Sequence, residues 1–443
     1  MELLVRGLGL KELFKNVLFV ITRQIGSGLL QVITLILIAR TYGPDGNGVY
    51  MIALLLPTTL VTLLSFGAAP ANVYYLSGGR VNTLVAWRSI LKIFVGGSVI
   101  GVVLGAMVII FFSGKWFPEI PSLLLWISLP IFPVSLLLSF VFSFFQGLQQ
   151  FDKFNYVLLL HPLLVLLTVV LVILSNLYEV KWLIVAYLVS SIITLLFAFY
   201  KLKPFLNNGN PFGFTDYDRT ILSYGCKVHL SNILSFVNYK ADIFLVNFYI
   251  GPVGVGIYLV AVQLSERLWL LSHAVGTVLL PRISQLYNDE DKRKAITPLV
   301  TRWVLMITFL SAVFLSIIAY PIISIVFGEV FVSAYYPFLF LLPGIVAGSA
   351  SRVIANDIAA RGRPELNFYS SCLVVFINVL GNFLLIPKYG ISGAAIATTI
   401  AYIINFLLRL FTHHYLTKVP VLNNILINKN DIKLLKSWVL NKL

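Results

Sequence analysis

The chain has 443 residues, of which 59% are hydrophobic and 11% are charged, and its mean hydropathy is +0.94. Polar side chains are too few to cover a water-facing surface, so the composition excludes a soluble globular protein and predicts an integral membrane protein. The formal net charge of +15 does not require a nucleic-acid partner, because lysines and arginines that collect in the cytoplasm account for most of it.

Runs of about 20 apolar residues predict twelve membrane-spanning helices. They cover residues 14–39, 47–66, 89–112, 121–146, 154–176, 181–200, 221–250, 254–281, 299–327, 334–357, 366–386 and 391–416. The first run is too long for a signal peptide and lacks a small-residue cleavage site, so we predict that it is retained as a span. The expected fold class is an all-α integral membrane protein with six transmembrane helices in each half.

Lysine and arginine indicate the orientation of these spans, because both residues collect on the cytoplasmic side. Placing both termini in the cytoplasm puts most of the 32 lysines and arginines inside. The cations that then lie outside are Arg40, Lys115, Lys181 and Lys388. We therefore predict a multi-pass protein of the bacterial cytoplasmic (inner) membrane with both termini on the cytoplasmic side.

A repeated octapeptide relates the two halves. GPDGNGVY at residues 43–50 returns as GPVGVGIY at residues 251–258, each time between two apolar runs. The glycines and the proline are expected to end one helix and start the next within a few residues. With six spans in each half, both copies face outside, so the repeat is parallel with its axis along the membrane normal. Duplicated membrane units are typical of transporters.

The predicted domains follow from this repeat. They are an N-terminal six-helix bundle (1–200), a cytoplasmic linker (201–220), a C-terminal six-helix bundle (221–416) and a cytoplasmic tail (417–443). The linker is rich in Asn, Gly and Pro, as connecting segments are. The tail alternates lysines with aliphatic residues, which predicts an amphipathic helix lying on anionic lipid.

Charged residues within the spans are informative, because each is costly in a membrane unless it faces protein or water. Six cations and three acids qualify, namely Arg23, Lys227, Lys240, Arg267, Arg352 and Arg409 with Asp242, Glu266 and Asp357. Arg409 and Asp357 lie near the cytoplasmic ends of helices, so we predict that they extend to the interface. Arg23 and Arg267 lie near the middle of their spans and cannot easily do so.

Polar residues recur at helical spacing on the first span of each half. The first span carries Arg23, Ser27, Gln31 and Thr34, and the seventh carries Lys227, Ser231, Ser235, Asn238 and Asp242. Steps of three and four place each set on one helix face. We interpret both faces as lining a water-filled cavity on the pseudo-twofold axis. Alternatively, such residues join helices by hydrogen bonds, and Glu266 forms a static ion pair with a nearby cation.

The excess of cations over acids in the spans predicts an anionic substrate, and a diphosphate matches the forked donors of arginine. The sequence contains no GxxxxGK(S/T) motif, nucleophile elbow or metal-ligand spacing, and its outward loops are short. We therefore predict no enzyme activity, no metal and no cofactor. Cys226 and Cys372 lie within or beside spans, so a disulfide framework is not indicated.

Three stretches of the chain resemble one known group of proteins. They are IARTYGPDGNGVYMIALLLPTTLVTLLSFGAAPANVYYLS at 38–77, NYKADIFLVNFYIGPVGVGIYLVAVQL at 238–264 and LIPKYGISGAAIATTIAY at 385–402. They are similar to the polysaccharide-transporter proteins, the oligosaccharide-lipid (O-antigen) flippases of the multidrug/oligosaccharidyl-lipid/polysaccharide exporter superfamily. Together with the number of spans, the resemblance covers most of the chain.

The resemblance implies two six-helix bundles that form a V around a central cavity and work by alternating access on an undecaprenyl-diphosphate-linked oligosaccharide. In that family, cationic residues of the cavity receive the diphosphate. The candidate substrate-binding residues are Arg23, Gln31, Lys227, Asn238, Lys240, Asp242, Arg267 and Arg352. Lys240 and Asp242 are two residues apart on a helix, so their spacing does not place both in the cavity.

The expected function is that of a flippase for cell-surface polysaccharide biosynthesis. The expected partners are a polyprenyl-diphosphate-linked oligosaccharide, membrane lipids and a glycan polymerase or ligase complex, with the chain acting as a monomer and binding no nucleic acid. Two alternatives stay open. A cation-coupled multidrug exporter would have the same spans and repeat, and a non-transporting scaffold of a glycan assembly complex would use its polar stripes only for packing.

Overall fold

The computed structural model of the chain describes residues 10–206, 217–285 and 290–426. Within these ranges it describes the side chains, except those of residues 10–24, 227, 228, 231, 277, 278, 280–282, 284 and 285. Residues 207–216 of the predicted linker lie outside the described residues. So does the part of the predicted amphipathic tail from residue 427 onward; before it lies a single 3-10 turn at Val421–Asn424.

The described residues form fourteen α-helices, together with short π and 3-10 turns, and contain no strand. The helices are α1 (Leu10–Leu64), α2 (Ala68–Ser77), α3 (Thr83–Met107), α4 (Ser113–Trp116), α5 (Ser122–Ser128), α6 (Ile131–Gly147), α7 (Phe151–Leu174), α8 (Val180–Leu206), α9 (Tyr217–Ile250), α10 (Pro252–Glu266), α11 (Trp269–Gln285), α12 (Glu290–Ile322), α13 (Tyr335–Ala360) and α14 (Pro364–Thr417). α8 and α9 each extend into the predicted linker at 201–220, and the linker itself stays a prediction.

Many of these helices can cross a membrane. Within the described ranges, nine helices are long and apolar enough, and a tenth span results if α10 and the start of α11, bent by 51°, count as one. Their outer faces carry large apolar side chains, such as Phe111 at 70% and Leu171 at 61% exposure. A bilayer covers such side chains, whereas water would not be a suitable solvent for so many of them. The prediction of an all-α integral membrane protein is confirmed.

Two of the spanning helices are interrupted at a glycine. Gly43 breaks α1 with φ 68° and ψ −173°, and Gly390 breaks α14 with φ 59° and ψ −142°. Residues with a side chain avoid this region of φ and ψ, so glycine is needed at both breaks. Gly251, with φ 88°, separates α9 from α10 in the same way. The octapeptide turns therefore end one helix and start the next, as the sequence predicts.

The chain forms two compact units, residues 26–259 and residues 260–443 with 1–25, which we call the first and second unit. The first unit includes α9, which the sequence assigned to the C-terminal bundle, because α9 packs on α2 and α3. At this crossing a Cβ atom on Gly67 would lie 2.1 Å from the carbonyl oxygen of Gly225. The assignment of spans to bundles at 1–200 and 221–416 remains a prediction.

The core of the second unit lies between α11, α12, α13 and α14. One cluster joins buried residues of α11 and α12, including Leu279 and Val304, to Val353 of α13. A neighbouring cluster joins Ile354 of α13 to Leu410 of α14. Successive residues 353 and 354 thus pack in different directions, so α13 is the central helix of the unit and its side chains have neighbours on most sides.

The two copies of the octapeptide pack directly against each other within the first unit. A Cβ atom on Gly48 would lie 1.8 Å from the carbonyl oxygen of Pro252, and one on Gly256 would lie 1.9 Å from that of Pro44. The contact is reciprocal, since the same position in each copy meets the same carbonyl of the other. Asn47 Nδ2 also donates to the carbonyl oxygen of Gly256 at 3.0 Å. The third glycine of each copy is therefore required by close packing of two backbones.

Candidate functional site

Arg352 is the best defined of the candidate cations. It lies on α13 in the second unit, and its guanidinium carbon is 4.5 Å from the centroid of the Trp269 ring. Trp269 is 5% exposed and donates its Nε1–H to the carbonyl oxygen of Ile345 at 3.1 Å. The indole is thus fixed to α13, and it holds the guanidinium by a cation–π contact.

The second contact of Arg352 is with His273 on α11, where Nη1 meets the imidazole Nε2. Because an arginine N–H group can only donate, the histidine nitrogen accepts, and this contact requires a neutral imidazole. The arrangement therefore holds the positive charge of Arg352 in position between an indole ring and a neutral imidazole. Such a guanidinium can bind an anion with little loss of side-chain freedom.

Trp269 and His273 are not among the candidate residues predicted from the sequence. They are four residues apart, which places them on one face of α11. Arg352 and Asn356 have the same spacing on α13, and a Cβ atom on Gly276 would lie 2.7 Å from Asn356 Nδ2. The two polar faces meet between α11 and α13. The matching i, i+4 spacing was the signal that could have revealed the pair.

Arg267 lies at the bend between α10 and α11. Its Nη2 donates to Gln263 Oε1, one helical turn earlier, at 2.9 Å. Its Nε is buried and has no hydrogen-bond partner among the described residues. A buried donor without an acceptor is costly. An anion that bonds to this nitrogen would remove that cost, so the guanidinium has unused capacity for a ligand.

Asp242 differs from the other candidates, because it is buried in the first unit and its hydrogen bonds have a structural role. Its side chain is 5% exposed. Its Oδ2 accepts a hydrogen bond from the Tyr258 hydroxyl at 2.8 Å, and its Oδ1 accepts one from the backbone N–H of Ile243 at 2.8 Å. Tyr258 is the last residue of the second octapeptide. The carboxylate thus joins α9 to the turn and to α10.

We expect Tyr258→Phe to lower the melting temperature of the purified protein. The substitution leaves a carboxylate oxygen of Asp242 buried without this donor, at a cost of about 1–3 kcal/mol. The measurement is the fraction of protein that elutes as a single species after heating. Tyr369→Phe is the matched control, because Tyr369 is 65% exposed. Equal melting temperatures for the two variants would contradict a stabilising role for the bond.

The other candidates on α9 are only partly presented. Asn238 and Lys240 are half-buried, and Asn238 Oδ1 is buried without a hydrogen-bond partner among the described residues. The charge of Lys240 lies close enough to Asp242 for the two to attract each other. Their role in substrate binding stays a prediction, and the side chain of Lys227 lies outside the described residues.

The polar stripe of α1 is described only from residue 25 onward. Gln31 is exposed and donates from Nε2 to Ser27 Oγ at 3.3 Å, within the same helix face. Thr34 donates to the carbonyl oxygen of Leu30 at 2.8 Å. These bonds leave the carbonyl oxygen of the Gln31 amide in reach of solvent or a ligand. The side chain of Arg23 lies outside the described residues, and its role stays a prediction.

Asp357 corrects one prediction, because it is fully buried and does not extend to the interface. Its Oδ2 lies 2.7 Å from Arg361 Nε and 3.3 Å from His413 Nε2. Arg361 Nη1 in turn lies 2.6 Å from Glu290 Oε1. Pairing inside the protein thus replaces solvation at the membrane surface. Arg409, for which the same was predicted, donates instead to Ser351 Oγ at 3.1 Å.

This group of ion pairs joins the ends of three helices in the second unit. Glu290 begins α12, Asp357 lies in the last turn of α13, and His413 lies near the end of α14. Burial alone would lower the pKa of the Arg361 guanidinium, but its bonds to Asp357 and Glu290 outweigh that effect and raise the pKa. We call Glu290, Asp357, Arg361 and His413 the buried ion-pair group; of the four side chains, only that of Glu290 is exposed, at 44%. Arg361 is already paired with two acids, so the group does not resemble an anion site.

No group of three His, Cys, Asp or Glu side chains that could hold a metal ion occurs among the described residues. Cys226 is exposed and Cys372 is half-buried, and both are free thiols. The guanidinium groups of Arg267 and Arg352, both in the second unit, are the candidate cations for a ligand that the structure describes best.

Comparisons with known proteins show what the chain is similar to. The family described as "Polysaccharide biosynthesis protein" matches residues 13–287. A relative described as a probable low-salt glycan biosynthesis flippase, from Haloferax volcanii, is 25% identical over 202 residues, which are 45% of this chain and 42% of the relative. The chain spans about two fifths of the length of the curated relatives it matches first.

Solved structures show the same fold. A lipid II flippase in an inward closed conformation is similar with a TM-score of 0.76 at 19% identity, covering 96% of this chain and 93% of the other. A multidrug resistance transporter of the same superfamily, in an inward-facing conformation, is similar with a TM-score of 0.69 at 14% identity. The match covers 88% of this chain and 94% of the other. The fold is therefore common to transporters of lipid-linked glycans and of drugs.

Proposed function

Because the chain belongs to the polysaccharide biosynthesis protein family, we propose that it is a flippase for an undecaprenyl-diphosphate-linked oligosaccharide in cell-surface polysaccharide biosynthesis. The observation that carries this proposal is the guanidinium of Arg352, which Trp269 and His273 hold within a helix long enough to span a membrane. A permanent charge in such a helix is expected to have a functional partner. A diphosphate has the charge and the acceptor geometry to be that partner.

The proposed architecture has twelve spans in two parallel-repeat six-helix bundles that form a V around a central cavity. Dividing α1 at Gly43 and α14 at Gly390 adds two to the nine spanning helices, and the bent pair of α10 and α11 adds one more. Each part of α14 is long enough to cross a bilayer at 1.5 Å per residue. This count supports the twelve spans predicted from hydropathy.

The proposed location is the bacterial cytoplasmic membrane, with both termini in the cytoplasm. Support comes from the loop after α2 and the start of α3, which hold Arg80, Arg88 and Lys92. Arg361 and Arg363, between α13 and α14, lie on the same side in this topology. Basic residues in short loops favour the cytoplasmic side.

In the proposed cycle, the diphosphate enters from the cytoplasm and binds Arg267 and Arg352, with Arg23 as a further cation. The Nε atom of Arg267 gains an acceptor, and the preset guanidinium of Arg352 receives a second pair of phosphate oxygens. The bundles then move so that the site opens outward, and the polyprenyl chain stays in the lipid. No covalent bond is made or broken, so the mechanism needs neither a catalytic residue nor a cofactor.

Two further functions remain as alternatives. A cation-coupled multidrug exporter is favoured by the similarity of its fold to that of a multidrug transporter. However, the site described above is cationic, and a cavity for organic cations is expected to be lined by acids. A non-transporting scaffold of a glycan assembly complex would bind no ligand, so it would supply no acceptor for the buried Nε of Arg267. The flippase proposal supplies one, the diphosphate.

The test is a flipping assay with the purified full chain in lipid vesicles. The probe is the glycan-lipid fraction of the source organism, labelled on the sugar with a fluorophore that membrane-impermeant dithionite destroys. Vesicles without protein should lose only the outer-leaflet fluorescence. Vesicles with the chain should lose the inner-leaflet fluorescence as well, with and without imposed proton or sodium gradients.

The other outcomes overturn the proposal. If the glycan-lipid stays in its leaflet while a gradient drives efflux of an organic cation such as ethidium, the chain is a multidrug exporter. If neither molecule moves under any gradient, the scaffold function is supported. Protein integrity is checked in each case by elution of the detergent-extracted chain as a single species.

A further inference from the structure

A cavity of about 350 Å³ lies in the first unit, and none of the candidate arginines described above lines it. Its lining is Tyr75 from α2 and Arg219, Thr220, Ser223 and Tyr224 from the first two turns of α9. Its volume is at the lower end of the range for small-molecule sites in proteins. We call it the tyrosine cavity.

The aromatic wall of the tyrosine cavity is built from rings that hold one another. Tyr224 stacks on Tyr74 with ring centroids 4.7 Å apart and an interplanar angle of 10°. Tyr75 contacts Tyr224 and Tyr217 edge to face, each with a centroid distance of 5.8 Å. Such pairs stabilise one ring arrangement beyond the area they bury. The wall is therefore preset before any ligand arrives.

Polar contacts fix this wall from behind. Tyr217 is 2% exposed, and its hydroxyl donates to Asn72 Oδ1 at 3.4 Å. Asn72 is fully buried and donates to Ser143 Oγ of α6 at 2.8 Å. On the outer side, Arg80 lies over the Tyr74 ring and donates to its hydroxyl at 2.7 Å. An anchored, buried tyrosine differs from the outward-facing rings of an interfacial aromatic belt.

The backbone frame around the cavity is equally fixed. The close approach of Gly67 to Gly225 sets the distance between α2 and α9. Lys92 Nζ lies 2.5 Å from Asp218 Oδ2, in the first turn of α9. Hydrogen bonding from Lys92 lowers the pKa of Asp218, so this carboxylate is ionised at neutral pH and keeps the pair charged. The Gly67–Gly225 approach thus holds α2 against α9, and the Lys92–Asp218 pair joins α9 to α3.

The lining selects one class of ligand. The half-buried rings of Tyr75 and Tyr224 offer an apolar surface, and Thr220, Ser223 and the exposed Arg219 offer hydroxyl groups and N–H donors. A sugar ring matches both the apolar and the polar side of this lining. Its C–H face packs on an aromatic ring, and its hydroxyls exchange hydrogen bonds with the polar side chains. A phosphate alone would leave the rings unused, and a polyprenyl chain has no donor or acceptor for the polar side.

We propose that the tyrosine cavity binds the saccharide end of the transported glycan-lipid before the diphosphate reaches the arginines. This inference rests on the proposed flippase function and extends it with a second site for the sugar. The topology proposed above places α2, Arg80 and the start of α9 on the cytoplasmic side, where the glycan-lipid would be loaded. The cavity would then contribute to the selection of the glycan, whereas Arg267 and Arg352 bind a group common to all such lipids.

The test measures how quickly a cysteine in the cavity reacts with a membrane-impermeant maleimide. The variant is Ser223→Cys in the full chain with Cys226→Ser and Cys372→Ser. The probe is the polyprenyl-diphosphate-glycan fraction extracted from membranes of the source organism, and its control is the same fraction after mild acid has released the sugar and the released sugar has been washed away. With the intact fraction at about ten times its dissociation constant, labelling should slow about tenfold, because about one site in ten stays free.

Controls distinguish the ligand classes. Ser77→Cys in the same background should react at an unchanged rate, because Ser77 is exposed at the end of α2 but does not line the cavity. Tyr224→Ala should abolish the protection of Ser223→Cys, and Tyr224→Phe, which keeps the ring, should retain most of it. Both variants must elute as single species, so that loss of folding is recognised.

Three outcomes would overturn the inference. Absence of protection by the intact fraction excludes glycan binding in the cavity. Equal protection by the intact and acid-treated fractions identifies a phosphate or lipid ligand. Unchanged protection in Tyr224→Ala removes the aromatic basis of the site. The flipping assay separates these results from failure of the proposed function, since a chain that flips the glycan-lipid without protecting Ser223→Cys remains a flippase.

Discussion

Replacing Arg352 with glutamine is expected to lower the rate of glycan-lipid flipping in vesicles by about tenfold or more. The substitution removes a charge-assisted bond to the diphosphate, and such bonds contribute about 1.5–3 kcal/mol each. Arg267→Gln is expected to have a similar effect, because it removes the buried Nε donor and its charge. The measurement is the initial rate of fluorescence loss from the inner leaflet at equal amounts of reconstituted protein.

Variants of the same region separate the charge of Arg352 from its position. Arg352→Lys keeps the charge but loses the fork, so it should fall between glutamine and the native residue. Trp269→Leu keeps Arg352 and removes the ring that holds it, so it should weaken flipping less than Arg352→Gln. Arg363→Gln is the matched control, since its side chain is 60% exposed and pairs with Glu365. If Arg352→Gln and Arg267→Gln both flip at the native rate, these residues do not bind the diphosphate.

Gly48→Ala and Gly256→Ala are each expected to destabilise the folded protein by about 3 kcal/mol or more. The added methyl group would overlap the carbonyl oxygen of Pro252 or Pro44, and a backbone oxygen cannot rotate away as a side chain can. Because the contact is reciprocal, the two single variants should lose similar stability. The measurement is the temperature at which half of the detergent-extracted protein no longer elutes as a single species.

The control for these variants is Gly96→Ala. Gly96 also lies within a helix, but a Cβ atom there would meet open space, so alanine should be neutral or slightly stabilising. The double variant Gly48→Ala/Gly256→Ala should lose less than the sum of the single losses, because both act on one contact. Single variants as stable as Gly96→Ala would show that the two turns do not pack as described.

Much of the fold could be predicted from the sequence, because its main signals are local. Apolar runs placed the spanning helices, and the glycine–proline turns at residues 43 and 251 placed the breaks between them. What the octapeptide could not reveal is that its two copies touch. Contact between segments about two hundred residues apart depends on the packing of the whole first unit. Local patterns in a single sequence do not show which distant segments touch. The repeat in the sequence indicated that the two turns are equivalent. The structure adds that they pack against each other through the same position in each copy.

The candidate site was predicted less completely, for a related reason. Burial within a span identified Arg267 and Arg352 as unusual, since charge in an apolar run is visible in any window. The partners of a buried charge are not visible in this way. Asp242 is bonded to Tyr258 sixteen positions later, and Asp357 to His413 on another helix. The contacts of Trp269 and His273 with Arg352 were not predicted, because an indole and a lone imidazole in an apolar helix are typical of ordinary packing.

The buried ion-pair group has a consequence for how the second unit can move. Separating α12 from α13 at this end would break the contact of Arg361 with Glu290, and separating α14 would remove His413 from the fully buried Asp357. Breaking contacts of a buried charged group costs more than bending a loop. These three helix ends are therefore expected to move as one rigid body during transport, while the conformational change occurs in other parts of the unit. Gly390, halfway along α14 and free of the usual backbone restriction, is a joint at which the remainder of that helix could swing.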